Sequence, residues 1–191
     1  MKDDIVLIGY GGHAKSVADS IERAGKYRIV GYTDFQDHNA SYKYLGTDDA
    51  LQQIFDSGVH NAAIGIGYLG KGNIRCKVYK LLKQIGFCLP VIIDPSSVVS
   101  NNTMIGEGTF VGKSAIVNAE AKIGNMAIIN THAIVEHECV VGDYTHIAVG
   151  AVLCGQVKIG RETLVGANAT VIQCVEIGDH QIIPAGVTIR K

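Results

Sequence analysis

The chain has 191 residues, with 17 Lys and Arg against 18 Asp and Glu and 47% apolar side chains. A charge this close to zero, with no Lys/Arg cluster interleaved with aromatics, excludes a surface built to track a phosphate backbone, and nucleic acid is not an expected partner. No unbroken apolar run reaches the roughly 18 residues of a membrane-spanning helix, so no membrane partner is expected either. The opening MKDDIVLIGYGG passes from acids straight into a short strand, without the basic region, apolar stretch and cleavage site of a signal peptide; a cytoplasmic address is the expectation. Cys76, Cys88, Cys139, Cys154 and Cys174 are odd in number and lack a CxxC pair, and are expected to be reduced and mostly buried thiols.

In chain order, DIVLI (4 to 8) reads as a strand, followed by a glycine turn and an amphipathic helix from about His13 to Ala24, stopped by Gly25. YRIVGYT is a second strand. Thr47 is a candidate N-cap for a helix through DDALQQIF, NAAIGI (61 to 66) reads as a buried strand, and NIRCKVYKLLKQI reads as a helix closed by Gly86. Strands alternating with helices imply a small parallel sheet of three or four strands over residues 1–90, with a boundary near Pro90 to Pro95. Gly9 to Ala14 satisfies G-x-G-x-x-A between strand and helix, and Asp34 lies twenty residues beyond Ala14. In a dinucleotide fold such glycines let the backbone approach phosphate at a helix N-terminus, and the acid meets a ribose hydroxyl. One such half precedes the next domain, so a single nucleotide suits it better than a dinucleotide. The plainer reading is that Gly9, Gly11 and Gly12 merely make a tight turn, which His13 caps or lines.

From Ile93 every sixth residue is Ile, Val or Leu through Ile189, without a miss, and the residue four positions after each is nearly always small, Gln181 being the clear exception. A period of six suits a short strand plus a corner, stacked coil on coil, with each repeat burying its neighbour's anchors. This pattern over residues 91–191 resembles the hexapeptide-repeat family, whose left-handed parallel β-helix has three hexapeptides per coil; residues eighteen apart should then lie above one another. The expected architecture is therefore an α/β, Rossmann-like small parallel sheet followed by a left-handed parallel β-helix.

Within the repeats, NTHAIVEHECVVGDYTH (130 to 146) carries three of the chain's seven histidines and three acids. Asn130, His137 and His146 all fall outside the inward anchor positions and are expected on the outer surface or at corners. Glu138, beside His137, offers a way to hold an imidazole in one tautomer and raise its basicity. His132 and His137 have the H-x4-H spacing of the gamma-class carbonic anhydrases, but the third ligand position of that family falls on Ser96, which is no such zinc ligand; no metal is expected. Gly155, eighteen residues after His137, is placed to offer a backbone N–H to an oxyanion. Covalent catalysis by Cys139 or Cys154 ranks below an imidazole base, because Cys139 is at an inward position and Cys154 lacks a base at obvious spacing.

The layout of GYGGHAK, AIGIG and NTHAIVEHECVVGDYTHIAVGAVLCGQVKIG resembles the sialic acid O-acetyltransferases and their nucleotide-amino-sugar N-acetyltransferase relatives over nearly the full length. The resemblance implies His137 as general base with Glu138 enhancing it, and His146 contacting acetyl-CoA near its thioester. It further implies a nucleotide-sugar held by Gly11, Gly12, His13, Asp34 and Gly65, and a pantetheine channel lined at Ala167 and Ala185 beside Gly155. A homotrimer with sites between neighbouring β-helices is implied as well. The expected activity is transfer of acetyl from acetyl-CoA to the amine of a UDP-, dTDP- or GDP-linked 4-amino-deoxysugar. O-acetylation of a sialic acid, a non-catalytic nucleotide-binding scaffold and a zinc-dependent hydratase are the alternatives. Two positions depart from the family pattern: Asp34 is followed by Phe35 rather than a second acid, and the closing IRK lacks the family's G-x-P-A-[KR] stretch.

Overall fold

A computed structural model describes residues 2–191. The chain divides into two compact units, residues 1–67 with 73–92 and residues 68–72 with 93–191. The segment 68–72 thus belongs to the second unit although it lies between elements of the first.

The first unit is a parallel sheet with helices. Its elements are β1 (Asp3–Ile8), α1 (Gly12–Ala24), β2 (Tyr27–Thr33), α2 (Leu51–Asp56), β3 (Asn61–Ile64) and α3 (Ile74–Ile85), and the strand order is β2-β1-β3. Ile5, Val6, Leu7 and Ile8 of the central strand are all buried, the unbroken apolar run of a strand covered on both faces. Helix α1 buries Ala14, Val17, Ala18 and Ile21, a stripe at helical spacing, and ends at Gly25, whose left-handed φ of 69° lets its N–H reach the Ile21 carbonyl. Gly86 closes α3 in the same way through Leu82. The segment after Thr47 differs from the sequence reading. Its first turn is a 3-10 turn over 48–50, and the Thr47 hydroxyl makes no cap; it donates to the Asp49 carboxylate instead. β3 ends at Ile64, two residues short of the sequence reading, although the Gly65 N–H still donates to the Ile8 carbonyl at 2.8 Å.

The second unit is a parallel β-solenoid with three faces of six, six and five two-residue strands. Every pairing joins residues eighteen apart, as in Ile128 with His146 and Ile134 with Val152. The six-residue anchors Val111 to Val171 point inward and are buried together with Ala115, Ala121, Ala127, Ala133, Cys139, Ala151 and Ala169. Large residues fill the faces and small ones fit the corners, where the chain turns too sharply for more volume. The outermost anchors are less covered; Ile93 is 37% exposed, with no coil stacked before it.

From Gly108 onward each corner has one residue with left-handed φ, and these recur every sixth position: Ser114, Glu120, Met126, His132, Glu138, Tyr144, Gln156, Glu162, Asn168, Cys174 and His180, with glycine at 108, 150 and 186. A side-chain-bearing residue there costs about 1–2 kcal/mol. The stack offsets this cost, since from Met126 onward the corner N–H donates to a carbonyl one coil earlier, as Gln156 does to His137 at 3.0 Å. Among the described residues no helix is long and apolar enough to cross a membrane. Leu153→Ala, emptying a fully buried anchor in the narrow core, should cost about 2–5 kcal/mol, read as a lowered denaturant midpoint.

Candidate active site

In the first unit, the glycine turn separates into structural and unexplained glycines. Gly9 has φ 82°, and a Cβ there would meet Ile66 at 2.7 Å, so its lack of a side chain follows from the fold. Gly65 is equally constrained, since a Cβ there would collide with the Ala14 side chain and lie 2.7 Å from the Gly9 carbonyl oxygen. Gly11 and Gly12 are different: a Cβ on either would meet nothing within 4 Å, and Gly11 has the ordinary extended backbone of an N-cap. Turn geometry alone does not require glycine at these two positions; glycine there leaves the main chain open to close approach by a ligand.

Asp34 holds this turn together. Its Oδ2 accepts Tyr10 N–H at 2.7 Å and meets His38 Nε2 at 3.0 Å, while Oδ1 accepts Phe35 N–H at 2.7 Å. A cavity of about 350 Å³ beside the turn is lined by Tyr10, Lys15, His38, Asn39, Ala40 and Ser41. Lys15 and His38 escaped sequence reasoning, although Lys15 falls in the first turn of α1. His13 is the second residue of that helix.

In the solenoid, His137 and Glu138 share one corner. His137 Nδ1 lies 3.0 Å from Glu138 Oε2, with the two side chains 55% and 47% exposed. A carboxylate only accepts, so Nδ1 carries the proton and Nε2 presents a lone pair. Hydrogen bonds from His137 and then Gln156 hold the Glu138 carboxyl below the usual carboxylate range, so it remains ionised through neutral pH. Gly155 sits one coil above, so close that a Cβ would meet His137 Cε1 and Nε2 at 2.6 Å. Glu136 secures the base of the corner, accepting from Asn118 Nδ2 at 2.9 Å and from His137 N–H at 3.4 Å.

His146 departs from the expected surface position. It is only 8% exposed, because segment 68–72 lies over the face that carries it. Its Nδ1 donates to the Tyr68 carbonyl at 2.7 Å, and Asn130 Nδ2 donates to its Nε2 at 3.0 Å, leaving a ring fixed in one tautomer. Tyr68 is anchored in turn, its hydroxyl donating to the Glu162 carbonyl at 2.7 Å. Ala167 and Ala185 occupy one corner position in consecutive coils, where the Ala167 carbonyl accepts Gly186 N–H. That corner is not the one carrying His137 and Gly155, so a single chain leaves the two groups on different edges of the prism.

Of the five cysteines, all free, only Cys139 is buried, which corrects the expectation of mostly buried thiols; Cys88 and Cys174 are exposed. Burial pushes the Cys139 thiol up to about 11, so at neutral pH it is protonated and a poor nucleophile. Among the described residues no three His, Cys, Asp or Glu side chains gather as metal ligands.

The same two-unit layout occurs in solved acetyltransferases. Perosamine N-acetyltransferase from Caulobacter crescentus, solved with CoA and GDP-perosamine as a histidine-to-asparagine variant, is 33% identical, with 98% of this chain and 89% of that one covered and a TM-score of 0.93. This chain is a member of the nucleotide-amino-sugar N-acetyltransferase family. The acetyltransferase domain of PglB from Neisseria gonorrhoeae is similarly close, at 30% identity, 99% and 92% coverage and a TM-score of 0.90. WeeI from Acinetobacter baumannii, at 22% identity, 100% and 97% coverage and a TM-score of 0.67, shares the fold. Residues 4–82 match the model of the PglD N-terminal domain, and 156–191 match the hexapeptide repeat of succinyl-transferase. No curated protein matches the chain. As a member of this family the chain is an acyltransferase.

Two variants check the geometry. Gly155→Ala drives a methyl against the His137 ring and should lower kcat by about tenfold or more, with thermal stability little changed. Cys139→Ala, matching the alanines at equivalent corners, should leave turnover near wild type; a large loss would revive cysteine chemistry.

Proposed function

We propose that this protein transfers acetyl from acetyl-CoA to the amine of a nucleotide-linked 4-amino-deoxysugar. The observation that carries the reading is the His137–Glu138 pair, with its free imidazole nitrogen laid against Gly155. It is supported by the Caulobacter relatives, which are N-acetyltransferases solved with CoA and GDP-perosamine, and by the PglB domain, also solved with acetyl coenzyme A.

In this mechanism the sugar amine attacks the thioester carbonyl while His137 Nε2 takes its proton, and Glu138 stabilises the imidazolium that forms. The Gly155 N–H faces the developing oxyanion. Collapse of the tetrahedral intermediate breaks the carbon–sulfur bond, and the proton on the imidazolium passes to the departing thiolate. The products are the acetamido sugar and free CoA thiol. The nucleotide is held at Gly11 and Gly12, where no packing demands glycine, with Asp34, His13 and Gly65 shaping the turn. His146, fixed by Tyr68 and Asn130, positions the acyl donor, and Ala167 and Ala185 line its channel. A homotrimer places the Ala167 corner of one copy against the His137 corner of the next, joining on two chains what one chain holds apart. The protein acts in the cytoplasm, where acetyl-CoA is available, and needs no metal.

Thiol release from acetyl-CoA, measured with a panel of UDP-, dTDP- and GDP-linked 4-amino-deoxysugars and with sialic acid, tests the reading. Turnover with one of the amines is expected; turnover with sialic acid alone, or none at all, overturns it. His137→Ala should lower kcat by about 10²- to 10⁴-fold while coenzyme binding and oligomeric state persist.

A further inference from the structure

The column of corner residues above Glu138 continues through Gln156 and Cys174, each eighteen residues on and each with left-handed φ, at 60°, 64° and 63°. Because the three occupy one register position, their backbones lie about 4.8 Å apart in succession and their side chains leave the prism side by side. Gln156 Nε2 donates to Glu138 Oε2 at 3.1 Å, the same oxygen that accepts His137 Nδ1–H at 3.0 Å. Cys174 Sγ–H donates to Gln156 Oε1 at 3.3 Å. The amide orientation follows from chemistry: a carboxylate has no proton to give, so nitrogen must face Glu138, and the carbonyl is then turned to the thiol.

Gln156 grips the same corner through its main chain, its N–H donating to the His137 carbonyl. Two donors converging on one carboxylate oxygen fix the rotamer of an exposed acid that otherwise has three free torsions. The Gln156 hydrogen bond is also the second cause, after His137, of the lowered Glu138 carboxyl. We infer that Gln156 is a positioning residue for acyl transfer, holding the Glu138 carboxylate against His137 Nδ1 so that Nε2 faces the substrate. The inference rests on the His137 and Glu138 roles proposed above. Gln156 acts through the Glu138 carboxylate, so its effect belongs in kcat rather than in binding.

The test uses acetyl-CoA and the fastest acceptor of the panel. Gln156→Met keeps side-chain length and backbone class but removes the donor; kcat should fall about three- to tenfold, with KM for both substrates within about twofold of wild type. Gln156→Lys restores a donor at similar reach and should recover most of kcat, a rescue that a purely structural role would not show. In a Glu138→Ala background, Gln156→Met should cost nothing further. Unchanged kcat in Gln156→Met, failed rescue by lysine, or a full additional loss without Glu138 overturns the inference. Full activity in His137→Ala instead overturns the underlying mechanism, and this positioning role with it.

Discussion

The coil length of eighteen residues is the constraint on which the rest depends. Because each strand pairs with one eighteen residues away, any residue's neighbours above and below are fixed by arithmetic, and every side chain belongs to a column. Inward columns must be apolar, and corner columns must tolerate a left-handed backbone. The narrow core leaves no room to relax a misplaced side chain, which makes the outward columns rigid mounts. Chemistry needs such a mount: an imidazole base must be held to a fraction of an ångström, and a loop would not hold it.

At the His137 corner the columns act together. One stacks Gly155 on His137 and leaves the ring edge no side chain to meet. The adjacent column stacks Gln156 on Glu138 and ties the acid that orients the ring. Glu136, joined to Asn118 one coil below, completes the corner. Glu138 itself bears the backbone cost of a left-handed conformation, as every non-glycine corner residue does. The ladder that offsets this cost also places the acid one peptide from the His137 imidazole.

The two units present polar groups in different ways. The first unit places a backbone turn with two sterically unconstrained glycines beside a small polar cavity, an arrangement suited to a phosphate-bearing ligand because main-chain N–H groups at a helix start carry partial positive charge. In the second unit, segment 68–72 supplies the carbonyl that selects the His146 tautomer. A buried imidazole and an exposed one, nine residues apart in sequence, thus have different partners.

Much of this was legible in the residues alone. The six-residue period, the small corner residues and the G-x-G-x-x-A turn each follow from local rules of volume and backbone geometry, and such rules are written along the chain. The His137–Glu138 pair was legible too, being adjacent in sequence. Gln156 and Cys174 were readable in principle, by stepping eighteen from Glu138, but only once the coil was known to hold that register. Three things were not legible: the burial of His146, the engagement of Asp34 with Tyr10 and His38, and the absence of a cap at Thr47. Each depends on where a distant or irregular segment comes to rest. Sequence determined the repeating scaffold and its candidate base because periodic burial is a local property. Tertiary structure alone decided which polar atoms meet, because hydrogen bonds between non-repeating segments are set by the closure of loops that no period encodes.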